Sequence, residues 1–209
     1  KKRPIVDFGK VVTGNTPSRS NPDYYGTAIE WIKSDNINTP FHTLTIAEER
    51  LSSTGREVAR VVPHGSVLVT CIAGSPSCIG NAALTNREVA FNQQINAIVP
   101  NAHTNSYFLY TQILLAKRLI QATSTNSMKG MVSKSTFEEI ELLFPTKQEQ
   151  DKFGLWFERI DATASELRKA LILQEKMFQS LKQRAFTGEL FPEESTTSTQ
   201  PLLEVSQHV

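Results

Sequence analysis

The pattern of hydrophobic and polar positions changes near Pro145. Before this residue, short apolar runs rich in β-branched side chains are bounded by Gly, Pro, Asn and Ser. Residues 66–70 (SVLVT) and 94–99 (QINAIV) are two examples, and the pattern predicts strands separated by turns. Between residues 105 and 122 the apolar spacing instead predicts one amphipathic helix. The first part of the chain is therefore predicted to have an α+β fold.

After Pro145 the pattern predicts a single long helix over residues 148–186. Apolar residues recur there at alternating steps of four and three, which is a heptad seam typical of a coiled coil. The helix would be about 58 Å long, longer than the small domain before it, so its apolar stripe needs a partner helix. The alternative is an extended core helix packed within the chain. The predicted dimerisation positions are Phe157, Ile160, Ala164, Leu167, Leu171, Gln174, Phe178 and Leu181.

These patterns divide the chain into three segments. Residues 1–145 form the predicted α+β domain, residues 146–190 the long helix, and residues 191–209 a flexible tail. Gly188 is predicted to end the helix just past its last periodic residue. Gln174 interrupts the seam, either as a polar residue that sets the register or as a tolerated polar gap.

Composition excludes several classes of protein. The 209 residues are 39% hydrophobic, enough for a real core, and the net charge of +1 gives no overall field that would attract nucleic acid or membranes. Two cysteines, Cys71 and Cys78, are too few for a disulfide framework or a four-ligand metal site. No apolar run reaches the roughly 20 residues of a membrane span, and a signal peptide is not recognisable. We therefore expect a soluble, cytoplasmic protein with two free thiols.

One short stretch suggests chemistry that the rest of the sequence does not support. Residues 21–24 (NPDY) are similar to the Asn-Pro-Pro-Tyr pocket of amino-group DNA methyltransferases, but Asp23 replaces the second proline. Gly9 and Gly14 are the nearest candidates for a cofactor-binding turn, and they precede no adequate βαβ unit. The histidines and cysteines lie in no activating motif and at no metal-ligand spacing. We therefore predict no catalytic residue, metal or cofactor, and interpret residues 21–26 as a turn.

Amide-rich loops are the remaining candidate for function. They cover residues 34–38 (SDNIN), 92–94 (NQQ) and 123–126 (TSTN). Asn and Gln side chains carry paired donors and acceptors that can read base edges, and nearby lysines and arginines can bind phosphates. Amides are also common in ordinary turns, so capping of backbone groups within the fold is the alternative, especially for residues 92–94.

Taken in order, these segments resemble the specificity (S) subunit of type I restriction-modification systems. The resemblance extends over nearly the whole of residues 5–190. It is carried by residues 8–18 (FGKVVTGNTPS), 24–26 (YYG), 29–32 (IEWI), 35–37 (DNI), 67–70 (VLVT), 79–80 (IG), 92–98 (NQQINAI), 133–137 (SKSTF) and 149–150 (EQ).

The resemblance implies a non-catalytic subunit that recognises DNA. In this family a target-recognition domain binds one half of a split site, while conserved helices form an antiparallel coiled coil and dock methyltransferase subunits, through which the restriction subunit is recruited. A full S subunit has two recognition domains and two conserved helices, and this chain has one of each. It is therefore either a half subunit that pairs with its own copy or a fragment of a longer chain.

We expect double-stranded DNA to be bound by loop amides and the cations beside them. The predicted DNA-binding residues are Lys33, Asn36, Asn38, Asn92, Gln93, Asn126, Lys129 and Lys134. The alternative function is a coiled-coil protein-interaction scaffold whose domain binds something other than DNA. A nuclease or methyltransferase ranks last, since it depends on residues 21–24 alone.

Overall fold

The structure, a computed structural model, describes residues 1–125 and 130–189. The chain divides into two compact units, Lys1–Asp161 and Ala162–Val209. The strands are β1 (Lys2–Pro4), β2 (Gly9–Thr13), β3 (Tyr25–Ile32), β4 (Arg50–Leu51), β5 (Val61–Val62), β6 (Val67–Thr70), β7 (Ile72–Ala73), β8 (Ala82–Leu84), β9 (Val89–Phe91), β10 (Ile95–Pro100), β11 (Gly130–Met131) and β12 (Glu141–Leu143). The α-helices are α1 (Ser53–Val58), α2 (Ser106–Leu115), α3 (Lys117–Ala122), α4 (Lys134–Glu138) and α5 (Lys147–Phe186).

A four-stranded antiparallel sheet of order β2-β10-β6-β8 forms the centre of the first unit. Successive side chains of a strand point to opposite faces, so Val67 and Val69 share one cluster with Ile113 of α2. Leu68 points the other way, into a cluster with Phe91 of the neighbouring sheet. Both faces are covered, and all four residues of β6 are accordingly buried. The strands predicted at residues 66–70 and 94–99 are confirmed as β6 and β10.

The second sheet has the order β4-β3-β9-β5 and contains one parallel pair. In β3 and β9, Trp31 lies opposite Ala90 and Ile32 opposite Phe91. The residues that follow both strands therefore leave the sheet at the same edge. Two smaller antiparallel pairs of the first unit join β1 with β12 and β7 with β11.

Two helices, rather than the single predicted one, cover residues 105–122. Asn105 caps α2, and its side-chain oxygen accepts hydrogen bonds from the amides of Tyr107 and Phe108. At Ala116 the backbone leaves helical geometry, with ψ of 1°, and α3 starts after it. The Gln121 amide of α3 then donates to the Ile79 carbonyl at 3.1 Å, which fixes this shorter helix to the sheet connections.

Helix α5 begins and ends with local signals that the sequence carries. At its start Thr146 and Glu149 form a capping box, in which the Thr146 amide donates to the Glu149 carboxylate at 2.8 Å. At its end Gly188 has φ of +79°, and the amide of Glu189 donates to the Arg184 carbonyl at 2.9 Å. This is the Schellman arrangement, in which a glycine with positive φ stops a helix. The predicted long helix and its glycine stop are confirmed.

Gln150 anchors the beginning of α5 in the first unit. Its side chain is fully buried, and its oxygen accepts a hydrogen bond from the Asn105 amide at 3.0 Å. Its nitrogen donates to the carbonyls of Pro145 at 3.1 Å and His103 at 3.2 Å. One side chain therefore satisfies three backbone groups from separate parts of the first unit.

The seam positions of α5 differ in their surroundings. Phe157 packs in the first unit, where its ring stacks on Tyr107 at 5.4 Å and contacts His42 edge-on at 5.1 Å. In the second unit Leu167, Leu171 and Phe178 are each more than 60% exposed. The α+β class with a long C-terminal helix is confirmed, whereas pairing of this helix in a coiled coil stays a prediction. No helix among the described residues is long and apolar enough to span a membrane.

Candidate nucleic-acid interface

The ends of the parallel strands bring together loops that are distant in sequence. Lys33 follows β3 and Asn92 follows β9, and the Asn92 amide donates to the Ile32 carbonyl at 3.0 Å. The segment after β2 joins them, because the Asn15 amide donates to the Phe91 carbonyl at 3.1 Å. We call residues 14–20, 33–37 and 92–94 the loop edge. It contains four of the predicted site residues, namely Lys33, Asn36, Asn92 and Gln93.

Two of these four residues shape the loops with their own side chains. Asn36 is 8% exposed, and its amide accepts from the Lys33 amide at 3.0 Å while donating to Thr45 and Ile46. Asn92 is 6% exposed, and its oxygen accepts from the Gln94 amide at 3.1 Å while its nitrogen donates to the Gln94 side chain. Their hydrogen-bonding groups are therefore engaged within the chain.

Lys33 and Gln93 are the more accessible members of the loop edge. Gln93 is exposed and accepts a hydrogen bond from the Thr16 hydroxyl. The Lys33 ammonium lies 5.3 Å from the Trp31 ring centroid and pairs with the Glu49 carboxylate. Both side chains can reach solvent without any change in the backbone, which buried Asn36 and Asn92 cannot do.

Arg19 also belongs to this surface and was missed in the sequence. Its guanidinium lies 4.5 Å from the Tyr25 ring centroid and 5.1 Å from that of Trp31, and it forms a bidentate pair with Glu49. The hydrogen bond from Arg19 lowers the pKa of the Glu49 carboxyl; partial burial opposes this shift, and Lys33 adds to it. The sequence shows this arginine only as a cation near aromatic residues, and the tertiary structure is needed to bring its guanidinium against the two rings.

The other predicted residues lie away from the loop-edge contacts or beyond the described chain. The Asn38 oxygen accepts from the Asn81 side chain at 2.7 Å, and Asn81 in turn accepts from the Lys117 ammonium. These groups line a groove together with Phe41 and His42. Lys134 is exposed on α4 and lies 3.5 Å from Glu138. Asn126 and Lys129 lie outside the described residues.

The residues considered for chemistry have structural surroundings. Residues 22–24 form a single 3₁₀ turn, capped by the Asn21 side chain, which accepts from the Asp23 amide at 3.1 Å; the predicted turn is confirmed. Cys71 and Cys78 are free, and burial raises the pKa of Cys71 to about 12. Within residues 1–125 and 130–189, His, Cys, Asp and Glu form no group of three or more that could hold a metal ion.

The sequence matches a known family profile over most of its length. The profile of the type I restriction modification DNA specificity domain matches residues 1–175. The type I restriction enzyme HindI specificity subunit of Haemophilus influenzae is 30% identical over 148 residues, and the match covers 69% of this chain and 31% of that protein. The MjaIX specificity subunit of Methanocaldococcus jannaschii is 27% identical over 182 residues, covering 83% and 40% respectively. The chain thus spans well under half the length of these relatives.

Solved structures share the fold at much lower sequence identity. The HsdS subunit from Thermoanaerobacter tengcongensis superposes with a TM-score of 0.60 at 15% identity, covering 90% of this chain and 45% of that one. The type I restriction-modification S subunit from M. genitalium gives a TM-score of 0.62 at 14% identity, covering 90% and 46%. These likenesses establish the arrangement of strands and helices.

Proposed function

Because the chain belongs to the type I restriction modification DNA specificity domain family, we propose that its first unit binds double-stranded DNA sequence-specifically. The observation that carries this proposal is the loop edge, where the segments that follow β2, β3 and β9 lie side by side and are joined by backbone hydrogen bonds. Loops held at one edge by a rigid set of strands are suited to reading base edges, which requires side chains at fixed positions.

The accessible side chains divide into two chemical groups. Gln93 and Asn38 carry amides that can contact base edges, and Lys33, Arg19 and Lys134 carry cations that can contact phosphates. Asn36 and Asn92 act indirectly, because their hydrogen bonds fix the loops on which the others lie. Among the predicted residues beyond the described chain, Asn126 stays a candidate for base contact and Lys129 for phosphate contact.

The second unit pairs with the same unit of another copy. Its exposed seam positions Leu167, Leu171, Phe178 and Leu181 support this proposal, because an apolar stripe of this length is stabilised when a partner helix covers it. A two-fold pair would place two identical recognition domains in opposite orientations. The site would then contain two inverted copies of one half-site, separated by a spacer that the helices set.

The chain selects the DNA site, and its partners carry out the chemistry. Methyltransferase subunits dock on the paired helices, and the restriction subunit joins through them. In this arrangement residues 1–145 recognise DNA and residues 146–190 pair and dock partners, while the predicted tail, residues 191–209, lies outside the described residues. The proposal rests on family membership and on the exposed seam.

Selection from a random duplex library tests this function. The full chain is mixed with its methyltransferase subunit and the library, and bound duplexes are recovered over several rounds and sequenced. We expect enrichment of a split site made of inverted half-sites, with affinity that falls as salt rises. Recovery of duplexes without a common sequence would contradict sequence-specific recognition. Binding of a protein in place of any duplex would favour the scaffold function.

A further inference from the structure

Two cations of the loop edge, Arg19 and Lys33, lie against the rings of Tyr25 and Trp31 in a cluster that we call the fork. Arg19 and Lys33 both contact the carboxylate of Glu49, with the Arg19 Nη2 lying 3.0 Å from Oε2. The side chains of Arg19 and Lys33 are 56% and 38% exposed, whereas that of Glu49 is 24% exposed. Two positive charges thus face a single negative charge, which leaves an excess of one positive charge at an accessible surface.

The aromatic rings hold the cations in place before any ligand arrives. Trp31 is buried, its indole nitrogen donates to the Asn15 carbonyl at 3.2 Å, and the Tyr25 hydroxyl donates to the Pro17 carbonyl at 2.8 Å. Arg19 contacts both rings and Lys33 contacts Trp31. A guanidinium that is already oriented loses less side-chain entropy when it binds an anion, so this fork is pre-organised.

Glu49 occupies the fork in a way that an external anion can imitate. The Glu49 carbonyl accepts the Trp31 amide at 3.0 Å, so its backbone is fixed while its carboxylate sits at the end of a rotatable side chain. Phosphate oxygens accept the same bidentate hydrogen bonds from arginine as a carboxylate does. Rotation of one side chain can therefore exchange the internal anion for an external one.

We propose that Arg19 and Lys33 form a binding site for a DNA backbone phosphate, which Glu49 occupies in the free protein. This inference rests on the proposed DNA-binding function and identifies one phosphate contact within it. Glu49 acts as a competitor: a duplex must displace its carboxylate before the two cations can bind the phosphate. Competition of this kind weakens the sequence-independent part of binding, so that base contacts supply a larger share of the binding free energy.

Binding of the full chain to a short random-sequence duplex, followed by fluorescence anisotropy over a series of salt concentrations, tests the site. Glu49→Gln should tighten binding about fivefold at low salt, since it removes the competing charge and keeps the side-chain shape. Arg19→Ala and Lys33→Ala should each weaken binding and reduce the slope of log affinity against log salt by about 0.9. In an Arg19→Ala background, Glu49→Gln should give a smaller gain.

A matched control is the Arg56–Glu88 pair, which is 2.7 Å long and has both side chains 51% exposed. Glu88→Gln changes net charge as much as Glu49→Gln does, and we expect affinity within twofold of the wild type. An equal gain from both variants, or no gain from Glu49→Gln, would overturn the phosphate site. If Arg19→Ala does not fold, Lys33→Ala and Glu49→Gln still decide the question. Wild-type protein that binds no duplex would instead reject the proposed function itself.

Discussion

At the scale of single residues, the buried carboxylate of Glu30 links separate segments of the chain through its hydrogen bonds. Glu30 is 9% exposed; its carboxylate accepts hydrogen bonds from Arg87 at 2.6 Å and 2.8 Å and from the Ala47 amide at 2.8 Å. Arg87 also donates to the Thr45 carbonyl at 2.9 Å. This network fixes the segment that carries Glu49, and so connects the sheet to the loop edge.

Glu30 should make stability depend on pH in the acid range. Burial raises its pKa, but the hydrogen bonds from Arg87 and Ala47 outweigh burial, so the pKa lies below its ordinary value of 4.5. Since the folded-state pKa is depressed, the stabilisation is present above the unfolded value and is lost as pH falls through the folded one. Glu30→Gln should cost about 1–3 kcal/mol at neutral pH and flatten the acid dependence in urea unfolding.

Glu88→Gln is the control for this prediction, because Glu88 is half exposed and pairs only at the surface with Arg56. Exposed ion pairs of this kind contribute about 0–1 kcal/mol. If both variants lose equal stability at neutral pH, or if Glu30→Gln keeps the wild-type acid dependence, the network does not stabilise the fold as argued.

Gln150 provides a second test at this scale. Replacement by Ala leaves the Asn105 amide and the carbonyls of His103 and Pro145 without their partner, so Gln150→Ala should lower the free energy of unfolding by about 1–3 kcal/mol. The exposed neighbour Gln148 is the matched control, and Gln148→Ala should be nearly neutral. Urea unfolding monitored by circular dichroism measures both, and equal losses would argue against the anchor.

At the scale of elements, the ends of α5 follow from local sequence signals, whereas the contacts of its apolar stripe require a partner helix. The two signals that predicted α5, its apolar spacing and its terminal glycine, each depend on residues that are neighbours in the sequence, so the predicted residues 148–186 differ from the observed helix only in its first residue. The break at Ala116 had no comparable signal, since neither Gly nor Pro marks it. Local signals therefore define where α5 begins and ends. What its apolar stripe contacts depends on the helix that is proposed to pair with it.

The seam can be tested with two leucines of equal exposure on the same helix. Leu171 lies on the seam and is 62% exposed, whereas Leu173 lies off it and is 60% exposed. Leu171→Asp should convert the proposed dimer to a monomer in light scattering, because it places a charge in the proposed helix pair, while Leu173→Asp should leave that dimer intact. If both variants dissociate, the dimer interface is broader than the seam. If neither dissociates, the seam is not the dimer interface.

At the scale of the whole molecule, sequence reasoning identified the family and the α+β class but could not assemble the loop edge. The parallel pairing of Trp31 with Ala90 joins strands that are far apart in the chain, and no local pattern encodes it. For the same reason, the sequence could not show that Asn36 binds Thr45 and Ile46, or that Arg19 stacks on Trp31. Residue types were recognisable, while their partners depended on tertiary structure.

The parallel pair also bears on how such a domain acquires new preferences. Lys33 and Asn92 leave the sheet from neighbouring positions whose backbones are hydrogen-bonded within the fold. The loops that begin at these two residues can differ in length and side chains while the buried strands beneath them remain unchanged. If the loops bind DNA as proposed, their exchange between relatives should transfer target preference without redesign of the core, so that a single scaffold can serve many DNA sequences.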